Sequence, residues 1–175
     1  MVVGQNHLFG TLTKVHPAGY LHTKKTEPMT VIRARQGNRP DRRWVQAGTY
    51  SKVQLEALVC KTSYVGSSIH KLKPGDYGFV PPTNPRPSKS PCDDRRIVLK
   101  DEAKGLLAAG IRAGMLSTFA GDGVPKYVWA VDGDGEVYEA KTNPGLETAY
   151  HGYRLGDDEA QLKKLILQEW KLRCR

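Results

Sequence analysis

Alternation of apolar and polar positions is clearest in the second half of the chain. The segments 124–131 (VPKYVWAV) and 136–142 (EVYEAKT) are rich in β-branched and aromatic residues. Between them lies Asp-Gly-Asp-Gly at 132–135, whose residue types tolerate the positive φ angles of a tight turn. This pattern predicts a β-hairpin, and a third short strand around 150–155 is expected to extend it.

Helical patterns occur in three places. Ser51 precedes a segment with apolar positions that predicts a short helix over 51–60. Two acidic residues followed by an apolar run predict a second helix over 101–110, ending at Gly110. Asp158 and Gln161 have the spacing of a capping box, and apolar residues at helical spacing follow them to about residue 173.

Together these elements predict an α+β fold, a small twisted antiparallel sheet with helices packed on one side. Residues 66–175 are expected to form a compact domain. Residues 1–65 have shorter and weaker patterns punctuated by glycine and proline, and are expected to be a basic, weakly structured region or a small extension. Six prolines between 74 and 91 predict an extended loop, because each removes a backbone donor.

Charge adds a class of partner to this picture. The 175-residue chain has a formal net charge of +9, and residues 1–73 alone account for an excess of that size. A basic excess of this kind attracts polyanions, so nucleic acid, with RNA favoured, is the predicted partner. The sequence has no apolar run of the roughly 18 to 20 residues that cross a bilayer and no signal-peptide pattern, which predicts a cytoplasmic protein without a membrane partner.

Metal chemistry receives little support from the sequence. Cys60, Cys92 and Cys174 lie far apart, without the paired spacing of a zinc site, and we interpret them as ordinary thiols. Asp132 followed by Glu139 and Lys141 has the residue order of a D…ExK metal-dependent nuclease. A turn separates the two acids, so this alternative ranks third, and no metal or cofactor is expected.

RNA cleavage without a metal requires a base, an acid and fixed cations or donors near phosphorus. We assign His70 or His151 as general base and acid, and Ser117 or Tyr150 as donors to the transition state. The predicted phosphate ligands are Lys71, Lys73, Arg86 and Lys89. A second basic segment, with Arg39, Arg42 and Arg43 next to Trp44, has the residue types that contact phosphates and stack a base.

Several sequence blocks carry a family resemblance. The blocks HKLK (70–73), PRPSKSPCD (85–93), VWAV (128–131), YEA (138–140) and YHGY (150–153) resemble a group of small uncharacterised bacterial proteins. More loosely, a histidine-lysine start followed by a helix and a twisted sheet is similar to the superfamily of barnase, EndoU, colicin tRNases and RelE toxins. Colicin-type tRNases place lysines before their histidine, whereas Lys71 and Lys73 follow His70.

The resemblance implies a metal-independent ribonuclease of toxin type, with a neutralising antitoxin or immunity protein as a further partner. A non-enzymatic nucleic-acid-binding or inhibitory accessory module is the alternative interpretation. Salt-dependent binding without turnover would distinguish this module from an enzyme.

Overall fold

A computed structural model describes residues 42–84, 90–118, 120–121 and 123–174. The helices are α1 (Lys52–Lys61), α2 (Lys100–Arg112) and α3 (Ala160–Arg173). The strands are β1 (Ser63–Tyr64), β2 (Ala120–Gly121), β3 (Val124–Pro125), β4 (Tyr127–Val131), β5 (Val137–Asn143) and β6 (Leu146–Arg154). Short 3₁₀ turns cover Ser68–His70, Pro74–Tyr77 and Asp157–Glu159. None of the helices in these ranges is both long enough and apolar enough to cross a membrane.

The main sheet has four strands in the order β1-β6-β5-β4. Strands β4, β5 and β6 are antiparallel, which confirms the predicted hairpin and its third strand. β1 adds a short parallel edge strand, pairing Tyr64 with Tyr150, that the sequence pattern did not predict. The predicted α+β class is confirmed.

Alternate residues of the strands enter two apolar clusters. Val128 of β4 and Tyr138 of β5 belong to a cluster that includes Leu107 of α2 and Leu55 of α1, so these two helices cover one side of the sheet. Trp129 and Val137, which are adjacent in sequence to Val128 and Tyr138, pack instead with Leu162 and Ile166 of α3. The alternation follows from the two-residue period of a strand. On the face that packs with α3, the residues of β4 and β5 that this helix does not cover form the candidate site.

The helix ends agree with the sequence at α1 and differ at α3. The Ser51 hydroxyl accepts a hydrogen bond from the Gln54 amide, and the Gln54 side chain accepts one from the Ser51 amide, as a capping box requires. The box predicted at Asp158 is wrong, because a 3₁₀ turn occupies 157–159 and α3 begins after Glu159 without a side-chain cap. Glu159 instead points inward, where it accepts a hydrogen bond from Arg42.

Residues 42–65 are part of the same packed unit as the sheet. Val45 and Leu55 are buried in the first apolar cluster, and β1 pairs with β6. These contacts connect residues 42–65 to the sheet, and the division predicted at residue 65 stays a prediction.

Gly110 is an internal residue of α2, which continues two residues past the predicted end, to Arg112. A Cβ built at Gly110 would lie 2.5 Å from the carbonyl oxygen of Trp129 and 2.7 Å from a methyl carbon of Val128. The helix backbone therefore lies directly against β4, and the missing side chain permits this approach.

We predict that Gly110→Ala lowers the free energy of unfolding by about 1 to 3 kcal/mol, because the added methyl group overlaps backbone atoms of β4. Gly105→Ala is the matched control in the same helix, since nothing lies within 4 Å of a Cβ there. The control should be neutral or stabilise by up to about 1 kcal/mol through helix propensity. Urea denaturation of both variants checks this, and equal effects would contradict the close approach of α2 to β4.

Candidate active site

Three aromatic rings stack at the β6 side of the sheet. The His70 ring stacks with two others: its centroid is 5.3 Å from that of His151, with an interplanar angle of 13°, and 5.0 Å from that of Tyr153, with an angle of 23°. His70 is 3% exposed, and His151 is half-buried. The two histidines that the sequence singled out, 81 positions apart, are therefore neighbours in space.

Each imidazole is held at Nδ1 by an oxygen. His70 Nδ1 lies 2.8 Å from the carbonyl oxygen of Ser90, and His151 Nδ1 contacts the side-chain oxygen of Asn143. A carbonyl oxygen can only accept, so in the neutral form Nδ1 carries the proton and donates it. The basic lone pair of each ring is then on Nε2.

The strand register places a lysine beside this stack. His151 of β6 is the cross-strand partner of Lys141 of β5, and Tyr153 is the partner of Glu139. Cross-strand partners project from the same face with Cβ atoms about 5 Å apart. Lys141 is half-buried and is in turn the partner of Tyr127 on β4. The face thus has a row of Tyr127, Lys141 and His151 next to a row of Trp129, Glu139 and Tyr153.

A buried charge network supports the second row. Arg42 donates hydrogen bonds to Glu139 at 2.8 Å and to Glu159 at 2.7 Å, and the side chains of both glutamates are fully buried. Glu139 also accepts hydrogen bonds from the indole of Trp129, at 2.9 Å, and from the hydroxyl of Tyr153. Three donors fix the Glu139 carboxylate, and through it the ring of Tyr153 on which His70 stacks.

Arg42 keeps its charge in this interior position. Burial acts to lower the pKa of its guanidinium, but Glu139 and Tyr153, together with the hydrogen bond to Glu159, outweigh burial and raise the pKa above its usual value. The guanidinium also lies 5.8 Å from the centroid of the Tyr127 ring. Arg42 is therefore a fixed internal cation of the site, whereas the sequence analysis had placed it among phosphate ligands. Its 6% exposure excludes that role in this conformation.

Two other predicted residues have structural partners. Ser117 is 2% exposed, and its hydroxyl accepts a hydrogen bond from the Tyr127 amide at 3.0 Å. Tyr150 is fully buried and donates its hydroxyl proton to the carbonyl oxygen of Pro125, on the α2 side of the sheet. Burial raises the pKa of Tyr150 well above its usual value. Their assignment as donors to a transition state was wrong, because both hydroxyls lie in the protein interior and have partners there.

Lys71 is also buried rather than presented to a ligand. Its ammonium lies 2.8 Å from Asp93, donates to the carbonyl oxygen of Val98 at 3.0 Å, and lies 4.4 Å from the centroid of the Tyr77 ring. These contacts replace the hydration that a buried charge loses. The prediction of Lys71 as a phosphate ligand was therefore wrong.

The remaining basic residues divide into two groups. Arg43 and Lys73 are exposed, as nucleic-acid contacts require, and their assignment stays a prediction. Arg39, Arg86 and Lys89 lie outside the described residues, so their assignments also stay predictions.

The D…ExK alternative has the wrong geometry. Asp132 accepts a hydrogen bond from Arg96 at 2.9 Å and another from the hydroxyl of Tyr138, on the α2 side of the sheet. Glu139 faces the opposite side, where it binds Arg42. The two acids therefore face away from each other. Within the part of the chain that the structure describes, no group of three or more histidine, cysteine or acidic residues is arranged to hold a metal ion.

Cys92 is the buried one of the three free cysteines. It is 3% exposed, and burial raises the pKa of its thiol to about 11, with Lys71 opposing and Asp93 adding to the shift. A thiol with so high a pKa is a poor nucleophile near neutral pH. The interpretation of Cys92 as an ordinary thiol agrees with this position.

Sequence analysis missed Tyr153 and Asn143 and weighed Lys141 and Glu139 only for a metal site. The Asn-Pro-Gly turn at 143–145 was a readable signal for a second hairpin. It would have indicated that the segments around Lys141 and His151 pair. It would not have given the register, because the pairing of β5 with β6 shifts by three residues between Asn143 and Thr142.

Comparisons with known proteins give no match among protein-family models, curated proteins or solved structures.

We predict that Arg42→Ala lowers the free energy of unfolding by about 3 to 5 kcal/mol, because it leaves two buried carboxylates without their common cation. Arg43→Ala is the control, because Arg43 is the next residue and its side chain is exposed. Removing that side chain should lower the free energy of unfolding by less than about 0.5 kcal/mol. Chemical denaturation measures both. Similar midpoints for the two variants would show that Arg42 does not neutralise the buried glutamates.

Proposed function

We propose that the protein binds RNA and cleaves it without a metal ion, with His151 as the general base. The observation that carries the proposal is the stack of His70 and His151 on a sheet face that also includes Lys141. In the same proposal the protein acts in the cytoplasm, and the toxin resemblance implies a neutralising partner protein.

Proximity of the two imidazoles supports acid–base chemistry. Two positive charges 5.3 Å apart repel each other by about 3 kcal/mol at an effective dielectric constant of about 20. The pair therefore disfavours the state in which both rings are charged, which leaves one imidazole neutral and able to accept a proton.

The reaction assigned to this face is transfer of the phosphodiester to the neighbouring 2′-oxygen. The lone pair on Nε2 of His151 takes the 2′-hydroxyl proton while the 2′-oxygen forms a bond to phosphorus. The bond between phosphorus and the 5′-oxygen breaks, and that oxygen takes a proton from water. The hydroxide that remains takes the proton held by His151, which restores the neutral base. The products are a 2′,3′-cyclic phosphate and a 5′-hydroxyl. Lys141 is assigned to the phosphate, where a cation stabilises the charge that develops on its oxygens.

His70 has a different part in this proposal from the one the sequence suggested. Its 3% exposure and its stacking on the His151 ring make it a positioning residue, which holds the plane of that ring. Tyr153, fixed by Glu139, also stacks on His70 and supports it.

We predict that His151→Ala lowers the rate of RNA cleavage in EDTA by at least about 100-fold, the contribution expected of a positioned general base. Lys141→Ala should lower it by a smaller factor through lost phosphate binding. Thr148→Ala on the same strand and Lys164→Ala on the exposed surface of α3 are the controls and should retain activity. Gel analysis of a labelled RNA with the purified proteins measures all five rates.

Other results of this experiment would support one of the alternative functions. Cleavage that EDTA abolishes would support a metal-dependent nuclease and contradict the proposal. RNA binding without cleavage, with affinity falling steeply as salt rises, would support the non-enzymatic module. Full activity of His151→Ala would exclude the base assigned here even if RNA is cleaved.

A further inference from the structure

Strand β6 departs from regular pairing close to His151. Asn143 pairs with Leu146 across a Pro-Gly turn, with Gly145 at φ +77°, but the next pair joins Thr142 to Tyr150. Residues 147–149 of β6 are therefore an insertion, because they have no pairing partner in β5. Irregular pairing of this kind re-aims side chains and occurs next to active sites.

The consequence is a contact between Asn143 and His151. If the pairing continued from the turn without an insertion, His151 would pair with Tyr138 and face α2. The insertion shifts the register by an odd number and moves His151 to the other face, opposite Lys141. There its Nδ1 contacts the side-chain oxygen of Asn143, the last residue of β5.

We propose that Asn143 is a positioning residue that holds His151 in the tautomer with the proton on Nδ1, so that Nε2 is the base. This inference rests on the proposed function and deepens it. An amide is suited to the task because its oxygen orients a neutral imidazole without adding the negative charge of an aspartate. The base then loses its proton more readily than it would beside a carboxylate.

Three other groups near His151 do not replace this contact. His70 stacks on the flat face of the ring, so it does not meet Nδ1 in the ring plane. Lys141, the cross-strand partner, is a cation and offers no acceptor. The hydroxyl of Tyr153 donates to Glu139 in the adjacent row. Asn143 therefore places an oxygen at Nδ1, where an acceptor selects the tautomer.

The test combines tautomer measurement with kinetics on the full chain. Long-range ¹H–¹⁵N NMR of the imidazoles reports which nitrogen of His151 carries the proton. We expect the Nδ1-protonated form in the wild type and a majority of the Nε2-protonated form in Asn143→Ala. The RNA cleavage rate of that variant should fall roughly tenfold, part of the contribution of the base. Asn84→Ala, at an exposed asparagine, is the matched control and should change neither readout.

Asn143→Asp provides a second variant that keeps the acceptor and adds a charge. It should restore the Nδ1-protonated tautomer and raise by about one unit the pH at which His151 titrates, because a neighbouring carboxylate favours the imidazolium. The rise in cleavage rate with pH should move by the same amount. A residue with only a structural role would not shift the pH profile.

The outcomes separate this inference from the proposed function. An Nε2-protonated His151 in the wild type, or an unchanged tautomer in Asn143→Ala, would overturn the role of Asn143 whether or not RNA is cleaved. Failure of the wild type to cleave RNA, with the tautomer still following Asn143, would overturn the proposed reaction and leave only the orientation of the ring.

Discussion

The positive charge of Arg42, shared by two buried carboxylates, is the interaction on which the site depends. Without it Glu139 and Glu159 would each be a buried anion, which costs several kcal/mol. With it Glu139 is fixed by three donors and in turn fixes Tyr153. Tyr153 stacks on His70, and His70 stacks on His151. The buried ion pair is therefore connected through these ring contacts to the half-buried imidazole of His151. Arg42 also ties the segment preceding α1 to the sheet.

The second constraint is the insertion in β6. Alternation along a strand is strict, so a register shift of three residues exchanges the two faces of the sheet for every side chain beyond it. His151 and Tyr153 thereby leave the α2 side and join Lys141 and Glu139. Tyr150, one position away from His151, goes to the α2 core instead.

This constraint explains what the sequence could and could not predict. The β4–β5 hairpin was predictable because its turn residues and strand residues are local signals, and so was the cap of α1 at Ser51. Residue type singled out His70 and His151, and the structure shows that their rings are neighbours. The burial of Lys71, Arg42, Ser117 and Tyr150 was not predictable, because it depends on partners from 10 to 117 positions away. Basic residues near a histidine look the same in sequence whether they meet a phosphate or a buried carboxylate.

The proposed cleavage at this face of the sheet requires the 2′-hydroxyl of RNA as the nucleophile. The most direct test is end-group analysis of a labelled RNA, and of the same sequence with 2′-O-methyl sugars, after incubation with the wild-type protein in EDTA. We expect 2′,3′-cyclic phosphate and 5′-hydroxyl ends from the RNA and an intact 2′-O-methyl strand. Cleavage of the 2′-O-methyl strand, 5′-phosphate ends, or no cleavage of either strand would contradict the account.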